Sequence, residues 1–276
     1  MHLIPTDTSL RFYEIDADKL DAIPDAIADI MAKRYTGFII KGWLTPEECA
    51  HGIDRLRSDE TPIPRMSNPH FAGWSHGPGV VNARDGMDPY LTKAAGLREG
   101  FASAFGFDVV QRFTDLFSKL SGGRQVQTVS ATDGRPYSPV TARALSHTGG
   151  LPIHCGNETH SWPSMKHIST FIDTTDQLSF FVTLQPPDAG GEMVVYDVQH
   201  TVPSDPVMST MSGPEVSPEI EARGFLNLRP GVGDVILFDG GRYFHRVVAV
   251  NGEKQRWTMG GFMAKDATKP TVWYWS

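Results

Sequence analysis

The residues best suited to chemistry in this chain are two histidines and an arginine that lie far apart in the sequence. His154 ends one apolar run, and His245 ends a second one 91 positions later. Arg256 and Thr258 follow on a run of residues typical of a strand. Imidazoles are common ligands of transition metals, and a guanidinium binds a carboxylate through two parallel hydrogen bonds. The set indicates a metal site beside a site for a dicarboxylate.

The position two residues after His154 is occupied by Gly156. Non-haem Fe(II) oxygenases hold iron with two histidines and one carboxylate and leave other positions open. Glycine has no side chain that could replace that carboxylate. An iron held by His154 and His245 alone would keep one more coordination position for a halide or another small anion. Arg256 would then bind 2-oxoglutarate, and Thr258 could add a hydroxyl because it projects to the same face of the strand.

The same residues also have a purely structural interpretation. The chain contains ten histidines, so His154 and His245 could be loop residues and Arg256 a surface charge. Two neighbours are expected to stay out of a metal site. Cys155 is expected to pack in the core, and Glu158 lies two positions beyond the glycine, where ligation would need a change of register.

Composition excludes several classes of function. The 276 residues are 40% hydrophobic and 21% charged, as in ordinary globular proteins. A net charge of −7 and a pI near 5.8 argue against nucleic-acid binding. There is no apolar run of about 18 residues that could span a membrane, and residues 1–7 do not resemble a secretory signal. The two cysteines, Cys49 and Cys155, suggest no disulfide framework, so we expect a reducing cytoplasmic environment.

The character of the sequence changes near residue 120, and we interpret the chain as one domain. Residues 1–120 have mainly helical patterns, whereas residues 121–276 alternate short strand-like runs with turns. This succession predicts a mainly β fold with α structure, a double-stranded β-helix or cupin-like jelly roll with an N-terminal helical layer. The expected strands include 37–44, 178–184, 192–197, 234–238 and 258–264.

Helices are predicted from apolar spacing and capping residues. Apolar side chains three and four apart predict a helix over 18–34. A threonine, a proline and two glutamates at 45–48 predict the start of a second helix that continues to Leu56. The other expectations are helices near 92–105 and 108–120 and long loops over 60–90 and 200–222.

Six short motifs are more specific than the histidines alone. They are 154–157, 175–181 with Ser179, 189–196, 233–247, 260–262 and 273–276. Together they closely resemble the carrier-protein-independent halogenases of hapalindole- and welwitindolinone-type alkaloid biosynthesis. The resemblance is close over residues 122–276 and looser over 10–120. It implies an enzyme that uses Fe(II), 2-oxoglutarate and O2, binds a halide, and acts on a free small molecule without a carrier protein.

A second resemblance leaves the reaction open. The interval of 91 residues between the histidines is similar to that of bacterial β-hydroxylases of N-substituted amino acids such as N-succinyl-leucine. Those enzymes carry Asp where this chain has Gly156, so the chain could be such a hydroxylase with an engineered Asp-to-Gly change. The strand residue Ser179 could hydrogen bond the oxidising oxygen at iron, or it could be an inward serine bonded to the backbone.

Four further residues are candidates for binding substrate. Thr159 stands where the alkaloid enzymes have apolar residues. Arg84 and Arg143 could bind a substrate carboxylate or could form surface ion pairs. Trp74, in the predicted loop over 60–90, could cover the substrate or anchor the loop.

Three functions are therefore compatible with the sequence. The first is halogenase-type attack on an unactivated C–H bond, and the second is hydroxylation of an N-substituted amino acid. The third is a non-catalytic cupin-like binding protein, against which Arg256 argues because such a protein needs no oxidative cosubstrate.

Overall fold

Short alternating strands build this chain into two facing sheets with helices outside the larger one. The computed structural model describes residues 1–68, 71–83, 85–200, 218–265 and 271–276. Within these ranges, no helix has the length and apolar character needed to cross a membrane.

Fifteen strands lie in the described residues. They are β1 (His2–Leu3), β2 (Phe12–Asp16), β3 (Gly37–Lys41), β4 (Arg65–Asn68), β5 (Gly73–His76), β6 (Gln125–Thr128), β7 (Thr141–Leu145), β8 (Leu151–His154), β9 (Leu178–Gln185), β10 (Met193–Gln199), β11 (Phe225–Leu228), β12 (Val235–Phe238), β13 (Tyr243–Val247), β14 (Arg256–Lys265) and β15 (Thr271–Trp275). The smaller sheet has the order β11-β10-β13-β8. The larger one runs β1-β2-β3-β12-β9-β14-β7-β5-β4, with β15 joining β14 to β6.

Seven α-helices accompany the sheets. They are α1 (Ala26–Met31), α2 (Pro46–Arg57), α3 (Met87–Ala94), α4 (Leu97–Phe105), α5 (Val109–Lys119), α6 (Pro163–Ile168) and α7 (Pro218–Glu221). The predicted start of α2 is confirmed. Glu48 N donates to the Thr45 hydroxyl, and Thr45 N donates to the Glu48 carboxylate, so a capping box satisfies two free backbone donors.

Alternation along β9 separates a helix-facing core from a cavity between the sheets. Phe180 packs against Phe113 and Phe117 of α5, whereas Ser179 lines the cavity on the other face. Successive side chains point to opposite faces of a strand. The same rule operates on β14, where Trp257 and its alternate neighbours join the core and Arg256 and its alternate neighbours line the cavity.

The two sheets also meet through apolar side chains. Met193 and Val195 of β10 form one cluster with Ile236 and Phe238 of β12 and with Phe12 of β2. These two facing sheets are consistent with the predicted jelly roll. The strands predicted over 178–184, 192–197, 234–238 and 258–264 are confirmed as β9, β10, β12 and β14, and the one over 37–44 is confirmed as the shorter β3.

The predicted helix over 18–34 is wrong as a continuous element. A 3-10 turn at Leu20–Ala22 and the short α1 take its place, on either side of Pro24. Proline has no N–H and its ring clashes with the preceding turn, so it breaks a helix interior. The apolar spacing survives because both pieces still bury Leu20, Ile27 and their neighbours.

The first 120 residues contain more strand than predicted. Residues 60–90 are not one long loop, since they include β4, β5 and the start of α3. The helix predicted near 92–105 is two helices, α3 and α4, separated at Gly96, where φ is +81°. Strands β1 and β2 were also missed. Of the second predicted loop, residues 201–217 lie outside the described residues, and α7 follows them.

Candidate active site

The two predicted metal ligands are brought side by side by strand pairing in the smaller sheet. His154 of β8 and His245 of β13 are direct partners across this antiparallel pair. Their imidazole rings lie 4.3 Å apart between centroids and both line the cavity. Two residues that lie 91 positions apart in the sequence are thereby brought together by the pairing of two strands.

Hydrogen bonds fix both imidazoles in the form that a metal requires. Nδ1 of His154 lies 2.8 Å from the carbonyl oxygen of Pro152, and Nδ1 of His245 lies 2.9 Å from that of Tyr243. Nδ1 must carry the proton to donate to a carbonyl, which leaves the Nε2 lone pair free for a metal. Burial lowers the pKa of His154, and burial followed by the charge of His154 lowers the pKa of His245 to about 3. Both rings are therefore neutral near pH 7.

The nearby carboxylates are engaged elsewhere. Glu158 accepts a hydrogen bond from the backbone N of Cys155 at 2.9 Å. Asp239 is buried against Arg242, whose Nε donates to it at 2.5 Å. Within the described ranges, no three His, Cys, Asp or Glu side chains converge as a metal-binding group. Cys155 is buried as a free thiol, and burial raises its pKa.

Gly156 begins a 3-10 turn directly after β8, held by the backbone of the turn between β12 and β13. Its N donates to the carbonyl of Gly240 at 2.8 Å, and the next N donates to the carbonyl of Gly241 at 2.9 Å. A Cβ at position 156 would lie 2.7 Å from Nε2 of Gln177 and 3.1 Å from the Gly241 Cα. The space beside Gly156 is thus bordered by an amide side chain.

The predicted cosubstrate residues lie together on β14. The Arg256 side chain donates from Nε to the carbonyl of Gly191 at 2.9 Å and from Nη1 to the Thr258 hydroxyl at 3.4 Å. Arg256 is 6% exposed. No carboxylate among the described residues pairs with it, although a buried cation is costly unless compensated. Burial, followed by the charge of Arg143, lowers the pKa of Arg256 to about 10.

Arg143 is a second cation in the same cavity. It lies on β7 directly across from Thr258 of β14, with its guanidinium 5.9 Å from the centre of the Phe71 ring. Its Nε has no partner among the described residues, and burial lowers its pKa. Two arginines therefore border one cavity, and the described residues that line it include no carboxylate side chain.

Ser179 and Thr159 also line this cavity. Ser179 is 8% exposed and lies close to the backbone of Gly240. The hydroxyl of Thr159 donates to the carbonyl of Gly156 at 2.8 Å. Thr159 thus stabilises the turn that carries the glycine and is not a free hydroxyl in the cavity.

Of the other two predicted substrate residues, only Trp74 lies among the described residues. The described residues that line the cavity include Ser75 and omit Trp74. Alternation along β5 turns Trp74 toward the helix-facing core, where the Arg65 guanidinium lies 4.0 Å from its ring centre. Trp74 therefore lies on a strand and packs against the core, not in the loop that the sequence predicted. Arg84 lies outside the described residues.

Gln177 is the site residue that sequence reasoning missed. It is 1% exposed, lines the cavity, and neither atom of its amide has a partner among the described residues. It lies within the motif over 175–181, two positions before Ser179, but nothing in that motif marks the glutamine as facing the cavity. Its position depends on three separate loops, so only the folded chain reveals it.

These residues fit a non-haem iron and 2-oxoglutarate. Two neutral imidazoles offer free Nε2 atoms to the metal, and Arg256 offers an uncompensated charge to a carboxylate. No carboxylate among the described residues competes for either position.

Solved structures share the fold of this chain. An N-substituted L-amino acid dioxygenase from Burkholderia ambifaria AMMD has a TM-score of 0.55 at 17% identity, covering 91% of this chain and 90% of that one. The same kind of enzyme in complex with alpha-KG gives 0.57 at 15% identity, covering 99% and 97%. At these identities the likeness concerns the fold. No curated protein matches the chain.

A family model gives the assignment. The model described as carrier-protein-independent halogenase WelO5 matches residues 9–276, nearly the whole chain. This match rules out the non-catalytic binding protein, because the family consists of enzymes. The chain therefore belongs to the carrier-protein-independent halogenase WelO5 family and is an enzyme of the Fe(II)/2-oxoglutarate oxygenase type.

Proposed function

We propose that this enzyme transfers a halide, or another small anion such as azide, to an aliphatic carbon of a free small molecule. The observation that carries the proposal is that Gly156, with no side chain, stands two residues after His154, while the hydrogen bonds of His154 and His245 leave their Nε2 atoms free. The nearest carboxylates, Glu158 and Asp239, are held by other groups. An anion can then occupy the position that a carboxylate would otherwise take.

The residues of the chain divide the remaining tasks. His154 and His245 hold the iron, and Arg256 with Thr258 binds the distal carboxylate of 2-oxoglutarate. Fe(II) with 2-oxoglutarate and O2 supplies the oxidation of an unactivated C–H bond. Ser179, on the cavity face of β9, would offer its hydroxyl as a hydrogen-bond donor to a group bound in the cavity.

Arg143 favours a substrate that carries a carboxylate. Its guanidinium borders the cavity with no carboxylate partner among the described residues, whereas a neutral substrate would leave that charge uncompensated. No carrier protein is needed for a substrate held this way. The outcome of the reaction is decided by position, because a substrate radical closer to the anion than to oxygen takes up the anion.

The test compares how the yield of halogenated product depends on chloride in wild type and in Gly156→Asp. The protein with Fe(II), 2-oxoglutarate, O2 and a panel of small acids, including N-succinyl amino acids, is analysed by mass spectrometry over a range of chloride. Halogenated product should increase with chloride and disappear in Gly156→Asp. Comparable halogenation by Gly156→Asp would show that the anion binds elsewhere.

Hydroxylation of an N-substituted amino acid is the second candidate. Arg143 favours it, since such substrates are anionic and the structural neighbours act on them. This second function predicts an oxygenated product whose yield does not depend on the chloride concentration. The same mass-spectrometric screen separates the two candidates.

A further inference from the structure

We propose that the side-chain amide of Gln177 donates a hydrogen bond to the anion held beside Gly156 and thereby sets the affinity of the site for halide. This inference rests on the proposed function. It assigns to the chain a dedicated donor for a monovalent anion, next to the iron ligands and distinct from the two arginines.

The first support is the burial of an amide without a partner. Gln177 is 1% exposed, and both Nε2 and Oε1 lack a hydrogen-bond partner among the described residues. A buried polar group in this condition costs free energy, so native structures nearly always provide it with one. An anion or a bound ligand in the cavity is the partner that the surroundings leave available.

The second support is where the amide points. The Cβ of any side chain at position 156 would lie 2.7 Å from Nε2 and 3.2 Å from Cγ of Gln177. The amide therefore borders the same space that a carboxylate from position 156 would enter. A halide accepts hydrogen bonds and donates none, and such bonds to a charged partner are stronger than neutral ones.

The third support is the scaffold that holds Gln177 in place. The preceding residue, Asp176, has φ +56°, a left-handed conformation that is uncommon for residues other than glycine. Asp176 N donates to the Asn157 side chain at 3.0 Å, and the Asn157 amide donates back to Asp176 at 2.9 Å. These reciprocal bonds join the Gly156 turn to the segment before β9 and fix the amide beside the glycine.

Anion binding without turnover tests the inference. Under anaerobic conditions, the complex with Fe(II) and 2-oxoglutarate is titrated with sodium chloride, at constant ionic strength, while its visible absorption band is followed. We expect a saturable change in wild type. Gln177→Leu, of similar size but without an N–H, should weaken the chloride affinity by about tenfold or more. Gln177→Glu keeps the shape and adds a negative charge, so it should abolish the response.

Gln185→Leu is the matched control. The amide of Gln185 donates to the carbonyl of Gln255 at 2.7 Å, outside the cavity, and its loss should leave the chloride affinity unchanged. The 2-oxoglutarate affinity from the same band should be equal in all four proteins, since a merely structural defect would reduce it.

The outcomes distinguish this inference from the proposed function. A wild-type band that ignores chloride overturns the proposed function itself. A chloride response in wild type that is unchanged in Gln177→Leu overturns the role of Gln177 alone. Should Gln177→Leu fail to form the band, Gln177→Glu decides the matter, and a chloride response equal to that of wild type would overturn the inference.

Discussion

Arg256 and Arg143 show how single residues prepare this cavity for anions. Arg256 is bonded to a carbonyl and a hydroxyl, and Arg143 faces the ring of Phe71. Neither has a carboxylate partner among the described residues. The positive charge of each guanidinium is thus available to bind an anionic ligand. We expect Arg256 to bind 2-oxoglutarate and Arg143 to bind the substrate.

Arg256→Ala should weaken 2-oxoglutarate binding severely. Removing one partner of a buried, hydrogen-bonded charge pair costs about 3–5 kcal/mol. Anaerobic titration of the visible band with 2-oxoglutarate measures the loss. Arg229→Ala is the control, because the Arg229 side chain is 77% exposed. Equal 2-oxoglutarate affinity in Arg256→Ala and wild type would remove Arg256 from the cosubstrate site.

Arg143→Gln should act on the substrate and spare the cosubstrate. Glutamine keeps hydrogen-bonding capacity but loses the charge, and a bond to a charged group is worth about 1.5–3 kcal/mol. We expect KM for a carboxylate substrate to rise at least about tenfold, with little change in the 2-oxoglutarate requirement. A larger effect on 2-oxoglutarate than on substrate would assign Arg143 to the cosubstrate instead.

Gly156→Asp should be destabilising in a way that depends on Gln177. The new Cβ would meet the Gln177 amide at 2.7 Å, so this flexible side chain must shift. Adding Gln177→Ala should recover part of the lost free energy of unfolding, giving a non-additive double-mutant cycle. Urea unfolding of wild type, both single variants and the double variant measures it. Strictly additive effects would show that the two positions do not contact.

At the scale of elements, the turn between β12 and β13 positions several groups at once. Gly240 and Gly241 accept hydrogen bonds from the turn at 156–157. A Cβ at 240 would lie 2.2 Å from Oγ of Ser179, and a Cβ at 241 would lie 2.4 Å from the carbonyl oxygen of Gln177. Neither glycine has positive φ among the described residues. They are needed for close approach, and the turn geometry itself would tolerate other residues.

Gly241→Ala should therefore destabilise the fold by about 1–3 kcal/mol, the cost of overpacking against backbone that cannot move aside. Gly79→Ala is the control, because its Cβ would have ordinary contact, with the nearest atom 3.5 Å away. Chemical denaturation compares the two free energies of unfolding. A loss in Gly241→Ala no larger than in Gly79→Ala would contradict the close-packing explanation.

For the whole molecule, strands from both halves of the chain share one sheet. Strand β12 pairs with β3 on one side and β9 on the other, and β14 pairs with β7, β9 and β15. The large core cluster likewise combines side chains of α2, α4 and α5 with those of β9 and β14. We propose that the chain forms one cooperative domain over residues 1–276.

Equilibrium unfolding in urea should then show one transition. Tryptophan fluorescence and far-ultraviolet circular dichroism should give coincident unfolding curves. The reason is that both halves of the chain contribute strands to one sheet, which cannot lose half of its strands and remain stable. Two transitions, or curves with different midpoints, would indicate that the N-terminal residues unfold separately.

The sequence alone predicted the chemistry of the site, since the types of the candidate ligands and their spacing can be read from it directly. The candidate site residues proposed from the sequence were His154, Gly156, His245 and Arg256. The strands β9, β10, β12 and β14 were also predicted from the sequence. The family resemblance predicted the convergence of the site residues, which the register of β8 against β13 produces for the two histidines. The division of helices was less predictable, because Pro24 and Gly96 interrupt patterns that remain periodic in apolar character.

Only the tertiary structure decided which neighbouring side chains face the cavity. Trp74 and Ser75 differ by one position, and the pairing of β5 with β7 turns the serine to the cavity and the tryptophan to the core. Gln177 reaches Gly156 because bonds among three distant loops fix both. Such contacts depend on register and long-range pairing, which no local pattern of residues encodes.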